Sequence, residues 1–310
     1  MQQYKEKNAV AILTFNRSET TKKLMEIMKI IKPPRLYVII DGPRDSHKGE
    51  KEKVDIVKQI IDDNVDWECE LYKNYSEKNM GTCMRQYTGF SWVFEKEEQA
   101  IILEDDCIPN LDFFRYCDEM LEKYKDDERV MMVSGSNYLK KWESGYSYHF
   151  SSMGGIWGWA TWRRAWQKYD VDIRAWGDYE LKKELREKLG WEMYQHRREA
   201  WDSLYMNSSK AKTWDFQWWF ARTINSGLTI IPSVNLVSNV GFDSGAVHTT
   251  ASSPNVNLEV YDLKFPLKHP NYVMENTGYD RALFNSLFRG RFRKRLHRKV
   301  NDLLEWKGKV

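Results

Sequence analysis

Three carboxylates stand side by side at Glu104, Asp105 and Asp106, directly behind the apolar run Ile101, Ile102 and Leu103. Such a run reads as a buried strand, so the acids at its C-terminal end must lie at the rim of a sheet. Adjacent carboxylates repel one another unless a cation sits among them, and their oxygens suit a hard divalent ion such as Mn2+ or Mg2+. A phosphorylated ligand would supply the remaining oxygens. An isolated acidic turn is usually no more than a solvated one; the strand in front of these acids favours a site.

A second carboxylate, Asp215, sits in Thr213-Trp-Asp-Phe-Gln-Trp-Trp-Phe220. In the first turn of a helix it is favoured by the helix dipole, which also holds down its pKa. It reads either as a helix-start acid or, beside Trp214, Trp218 and Trp219, as a base whose strength is tuned by an apolar sugar-binding wall. Gly155 and Trp157 belong to a run of glycines and tryptophans over residues 149–162. Glycine lets backbone approach a ligand, and the rings can line a sugar pocket. Trp159, Trp162 and Trp166 read equally well as one packed helix face. His248, in a loop of small residues, could complete a metal shell or touch phosphate, although a lone loop histidine more often does neither.

The elements that must position these residues alternate. Residues 9–15 form a strand-like run, followed by Asn16, Arg17 and then Ser18, which can cap a helix with Leu24, Met25, Ile27, Met28 and Ile31 on one side. Residues 36–40 make the next strand, ending at Asp41. Helices over 54–61 and 82–95, strands over 67–72 and 101–103, a helix from Asn110 to about Tyr124 and a strand over 130–133 continue the pattern. A polar helix over 178–206 shows little chemistry, and strands over 227–232 and 235–239 follow. The alternation predicts an α/β fold, Rossmann-like, with a mostly parallel central sheet flanked by helices and ligands beyond the carboxyl ends of its strands. Asn16, Arg17, Asp41 and the three acids fall at such ends, so one crevice can collect them. Asp41 suits base or ribose hydroxyls and Arg17 suits base or phosphate. Gly81 and Arg85, at the start of a helix, can bring backbone N–H groups and a guanidinium to the same ligand, a plain helix start being the alternative. Neither G-x-G-x-x-G nor G-x-x-x-x-G-K-[ST] occurs, which argues against dinucleotide oxidoreductases and P-loop NTPases.

Composition narrows the classes further. Lysine and arginine number 48 against 45 acids in 310 residues, so a net charge of +3 gives no reason to expect nucleic acid as a partner. Fourteen Trp and 17 Tyr offer many platforms for the C–H faces of sugar rings. Four cysteines without C-x-x-C spacing signal neither zinc nor a redox pair. No apolar run approaches a membrane span and the N-terminus lacks a signal-peptide core, so a cytoplasmic location is expected. Near the C-terminus Phe284, Phe288, Phe292, Leu296 and Val300 recur along one face of a helix otherwise rich in Arg and Lys. That basic amphipathic helix, over 284–304, can rest on an anionic membrane from the cytoplasmic side or pack back on the domain.

Taken together, these stretches resemble the GT-A glycosyltransferases, and most closely a bacterial group of family-2-like enzymes related in motif to the N-acetylglucosaminyltransferase I type. The likeness is carried by Ala11-Ile-Leu-Thr-Phe-Asn-Arg17, Val38-Ile-Ile-Asp-Gly42, Asn79-Met-Gly81, Leu103-Glu-Asp-Asp-Cys-Ile-Pro109, Gly155-Ile-Trp-Gly-Trp-Ala-Thr-Trp162 and Trp214-Asp-Phe-Gln-Trp218. The E-D-D and W-D-x-Q-W segments in this order are fairly specific; the first strand is not. The resemblance implies a GT-A domain over 1–262, with a nucleotide-sugar half to about 135 and an acceptor half beyond it, then an extension over 263–310. It implies Asp106 as ligand of Mn2+ or Mg2+, Glu104 and Asp105 facing the donor's ribose or sugar, Asp41 and Arg17 on the nucleotide, and Asp215 as base of an inverting transferase. A UDP-sugar donor follows from it, and a glycan or lipid-linked acceptor in cell-surface polysaccharide synthesis is expected from the basic tail. The departure from the usual D-x-D pattern leaves the division of labour within 104–106 open. Two other readings compete. One is a sugar nucleotidyltransferase, which usually brings a glycine-rich phosphate loop that Thr14-Phe-Asn-Arg17 is not; the other is a non-catalytic carbohydrate-binding protein.

Overall fold

Strands whose two faces are both covered by helices must be apolar throughout, and the central strands of this sheet are. A computed structural model describes residues 4–207, 211–241 and 257–289. Its main sheet has eight strands. Four are parallel neighbours, β3 (Glu70–Tyr75), β2 (Arg35–Ile40), β1 (Ala9–Thr14) and β4 (Gln99–Glu104). Next to β4 runs β8 (Trp159–Trp162), antiparallel, then β6 (Val130–Ser134), β9 (Leu228–Pro232) and the edge strand β7 (Tyr148–Ser151). A separate two-stranded ladder, β5 (Cys107–Pro109) with β10 (Val237–Asn239), stands behind the acid triplet. The expected mixed α/β architecture with a mostly parallel, helix-flanked central sheet is therefore present.

Side chains alternate across β1. Val10 and Ile12 enter the core under α1 (Ser18–Ile31), α2 (Glu50–Asn64) and α4 (Leu111–Lys123), while Ala9 and Ala11 face the other side. On that second side the small alanines leave room for a bulky layer: Phe90 of α3 (Gly81–Lys96), Trp159, Trp166 of the short α5 (Arg163–Trp166), and Trp214 and Trp218 around α7 (Asp215–Ile224). Gly89 is required by this packing, since a Cβ there would run into Ile39. The polar stretch becomes α6 (Tyr179–Met206), bent at Gly190, whose φ of 72° lies in the left-handed region.

Two local expectations are corrected, and for the first residues of the basic helix one of the two open alternatives is met. Ser18 does not cap α1 but is its first residue; Arg17 occupies the cap position without a side-chain bond. Trp159, Trp162 and Trp166 do not share one helix face. Trp159 and Trp162 lie on β8 and enter opposite cores, because three residues along a strand reverse the face. Phe284 and Phe288 pack inward: Phe284 ends α8 (Thr277–Phe284) in a cluster with Met153 and Ile231, and Phe288 lies on His196. Residues 290–310, with the rest of the basic helix, lie outside the described residues. Asp280 ties α8 to the sheet by accepting from the Ser152 N–H (2.9 Å), the Ser152 hydroxyl (2.6 Å) and the Ser151 hydroxyl. No described helix is long and apolar enough to cross a membrane.

At the amino end of β1, remote from the acid triplet, Glu6 is 1% exposed and accepts from the N–H groups of Lys7 (2.9 Å) and Asn8 (2.8 Å) and from the Tyr4 hydroxyl (2.8 Å). Burial, and then the hydrogen-bonded Asp118 carboxyl, push it up to about 9 from its ordinary 4.5. A carboxyl kept protonated in the fold contributes stability that is complete below its ordinary value and is lost as pH rises toward the folded one. Between about pH 5 and 9 the wild-type Tm is expected to fall more steeply than that of Glu6→Gln. The difference in slope is bounded by about 1.4 kcal/mol per pH unit for one proton. Thermal unfolding across that range checks it, and parallel curves would remove Glu6 as the titrating group.

Candidate functional site

Parallel strands in register end side by side. Thr14 pairs with Ile40 and Leu13 with Glu104, so Asn16, Arg17, Asp41 and residues 104–106 emerge together at the carboxyl rim. They open on a cleft of about 850 Å³. Its opposite wall comprises Gly81, Thr82, Arg85 and Gln86 at the start of α3, Ile156 and Trp157 before β8, and residues 211–215 leading into α7. The acid triplet and Asp215 therefore face one space.

Within the triplet the three side chains differ. Asp105 is 6% exposed and turned inward, accepting from the Thr14 hydroxyl at 3.0 Å, while its N–H donates to the Leu13 carbonyl at 2.9 Å. Asp106 accepts from Arg17 Nη1 at 2.7 Å and from Asn239 Nδ2 at 3.2 Å. Arg17 also stands 3.5 Å from Asp105. Gly241 lies so close to Asp106 that a Cβ would collide with its carboxylate. Three acids thus share one guanidinium. Burial, then Asp106 and Asp105, hold Glu104 well above the carboxylate range, and Asp215 is near enough to add to this. Burial and then Asp106 push Asp105 up to about 7, against the pull of Arg17 and Thr14.

Among the described residues no three His, Cys, Asp or Glu side chains converge as a metal cage. A metal that arrives with a nucleotide needs less, because Mg2+ is commonly held by one or two carboxylates and completes its shell with phosphate oxygens and water. Asp106, in a cluster short of positive charge, fits that smaller role. His248 lies outside the described residues.

Asp41 is 7% exposed and spends its carboxylate on the α3 entry loop. It accepts from the N–H groups of Gly42 (2.9 Å), Met80 (2.9 Å) and Gly81 (3.1 Å) and from Asn79 Nδ2 (3.1 Å). Burial raises its pKa and these donors oppose the rise. Gly81, at φ 75°, takes the left-handed turn that lets the loop meet Asp41. Arg85 is 4% exposed and donates to the carbonyl and side chain of Asn74, and Asn16 donates to Glu50 at 3.0 Å. These residues line the cleft, but much of their polar capacity is used in shaping its wall.

At the far side Trp214 stacks on Trp159 with centroids 5.1 Å apart, and Trp157 meets Tyr138 edge-on at 5.2 Å. Gly155 is not among the cleft-lining residues; its carbonyl accepts from Ser134 and its Cα abuts Tyr138. Asp215 does begin α7, but its pKa is raised rather than held down. Burial outweighs the Thr213 side chain, the first-turn N–H groups and the Arg197 guanidinium. Arg197, of α6, is 1% exposed and lies against Trp219, one turn along from Asp215. The sequence reading passed over it; its signal was its place between Tyr194 and Trp201 on the buried stripe of α6. Gln86 was missed likewise, between Cys83 and Phe90 on the buried stripe of α3.

Without Arg17 the raised acids would be raised further, and such groups lose stability as pH rises. In chelator, the melting-temperature deficit of Arg17→Ala is expected to be larger at pH 8 than at about pH 5, by about 2–4 °C for a difference near 1 kcal/mol. A gap of equal size at both values, in the same thermal scans, would mean that Arg17 does not act on Glu104 and Asp105.

No known family matches the chain, and no curated protein matches it. Among solved structures it is similar to HddC from Yersinia pseudotuberculosis (12% identity, TM-score 0.33, 51% of this chain and 78% of that one). It is similar to a CMP:2-keto-3-deoxy-manno-octonic acid synthetase complexed with CTP (12%, 0.34, 66% and 87%). A third likeness is to a UDP-glucose pyrophosphorylase complexed with UDP-glucose (8%, 0.28, 52% and 78%). At these values none of the three assigns a family to the chain.

Proposed function

We propose that the chain is an enzyme acting on a nucleotide sugar and, more finely, a divalent-cation-dependent inverting glycosyltransferase of GT-A type. It would take a sugar, from UDP in the preferred case, to a hydroxyl of a glycan or lipid-linked acceptor. The observation that supports this reading is the shared cleft: Asp215 on one wall, Glu104, Asp105 and Asp106 on the other, with room between them for a nucleotide sugar.

Inversion at an anomeric carbon needs one base for the acceptor hydroxyl and a stabilised leaving group. Asp215 is that base, and burial, by raising its pKa, makes its carboxylate a stronger one. Arg17 can pair with the diphosphate directly. Asp106 would hold the Mn2+ or Mg2+ that, when bound, neutralises charge on the departing nucleoside diphosphate. Ile156, Trp157 and Trp214 close the apolar side of the cleft and exclude the water that would hydrolyse the donor.

A second reading, a sugar nucleotidyltransferase, is favoured by a groove of about 520 Å³ that shares Asn16, Arg17, Arg44 and Gly241 with the cleft and carries His47, Lys48 and Lys53. A triphosphate tail would find cations there. Against it stands the absence of a glycine-rich loop after β1, and the distant likenesses above do not decide between the two.

Incubation with Mn2+ and a panel of nucleotide sugars tests the first reading through acceptor-dependent release of nucleotide; pyrophosphate from a nucleoside triphosphate and a sugar 1-phosphate would support the second. Under the first, Asp106→Asn loses cation-dependent donor binding. Asp215→Asn binds donor normally and loses transfer by about 10²-fold or more. Because the ionised base is required, wild-type kcat/KM rises with pH through a midpoint above the ordinary 3.8 of an aspartate. Full activity in both variants would remove the mechanism.

A further inference from the structure

Gln86 is 1% exposed yet lines the cleft, and its Oε1 has no hydrogen-bond partner. Buried polar atoms are nearly always paired, so an unpaired amide at the edge of a cavity marks a place where a ligand completes the bonding. Its position follows from the helix it sits on. Cys83, Gln86 and Phe90 fall on one face of α3. Cys83 accepts from Gln217 Nε2 at 3.4 Å, and the Phe90 ring meets Trp214 edge-on at 5.3 Å. Gln86 therefore lies between those contacts on the α3 face that packs against residues 214–217, and it lines the same cleft as Asp215. The Oε1 of Gln217, two residues beyond Asp215, is likewise without a partner.

We propose that Gln86 reads the transferred sugar, hydrogen-bonding to its ring hydroxyls or to an acyl-amino substituent. This rests on the transferase reading. In that reaction the anomeric carbon must lie between the base on one side and the diphosphate-holding residues on the other. The first turns of α3 line the same cleft, and there Arg85 donates to Asn74 while the Gln86 Oε1 has no partner. An amide offers one donor and one acceptor end, and turning it by half a revolution exchanges them. Gln86 can therefore pair with a hydroxyl as donor or acceptor, while a sugar whose hydroxyl points elsewhere leaves the buried amide unpaired, which suits discrimination between sugars that differ at one carbon.

The test compares UDP with UDP-hexoses and UDP-N-acetylhexosamines, each with Mn2+, by calorimetry on the full chain. Wild type is expected to bind its preferred UDP-sugar more tightly than UDP. Gln86→Leu, similar in volume and without polar atoms, is expected to bind UDP as wild type does and to lose about 10-fold of the sugar-dependent gain, a size typical of one hydrogen bond. Gln86→Asn, which keeps the amide but shortens its reach, serves if the leucine variant fails to fold, and it should lose part of the same gain. An unchanged sugar-dependent gain in a folded variant overturns the assignment, as does a wild type that binds UDP but no UDP-sugar more tightly. Failure of wild type to bind UDP or any UDP-sugar overturns the UDP-dependent transferase reading itself, a distinct result that takes this assignment with it.

Discussion

Like charges held at the carboxyl rim of the sheet are the constraint on which the cleft depends. Glu104, Asp105 and Asp106 share one guanidinium, that of Arg17, and two of the three are raised by burial and by one another. Such a cluster is costly without compensation. Part of the compensation is built in, through Thr14 on Asp105 and Asn239 on Asp106. The remainder is a standing demand for positive charge, the physical property that a phosphorylated ligand carrying a divalent ion would satisfy.

The fold keeps that demand from dispersing. In-register parallel strands leave no freedom over where the acids emerge, and the ladder of β5 with β10 clamps them from behind by bringing Asn239 and Gly241 against Asp106. Opposite, alanines on one face of β1 admit the aromatic layer that seats α7. Two acids at remote sequence positions are thereby fixed across one space by the packing of different chain segments, so neither has to be held by the other.

Much of this was legible in the sequence because it depends on period and punctuation. Apolar runs ending in Asn16, Asp41 and Glu104 announced parallel strands and a common rim, and the order of helices and strands gave the sheet. What escaped depended on three-dimensional burial. Asp215 looked like a helix-start acid with a lowered pKa, yet desolvation exceeds the help of the first-turn N–H groups. Asp41 lines the cleft, but the sequence did not show that its carboxylate also holds the α3 entry loop. The tryptophans of 159–166 had the spacing of a helix face and became a strand followed by a single helical turn, since a spacing of three to four does not distinguish the two when one element is short. Arg197 and Gln86 were hidden for the opposite reason: a polar residue on an apolar stripe reads as a lapse in the pattern until the cavity beside it is known.

The two ends of the cleft treat their arginines differently, and the difference bears on what each end can do. The Arg17 side chain is 31% exposed and its bond to Asp106 is open to competition from an incoming cation and phosphate. Arg197 is almost wholly buried and acts on Asp215 through its charge alone, its two terminal nitrogens having no hydrogen-bond partner. An exchangeable partner suits a site that must bind and release a charged group. A buried one offsets part of the desolvation of Asp215 without returning its carboxyl to the ordinary value. The two ends of the cleft therefore differ less in their carboxylates, which are common to both, than in how exposed a positive charge stands near each.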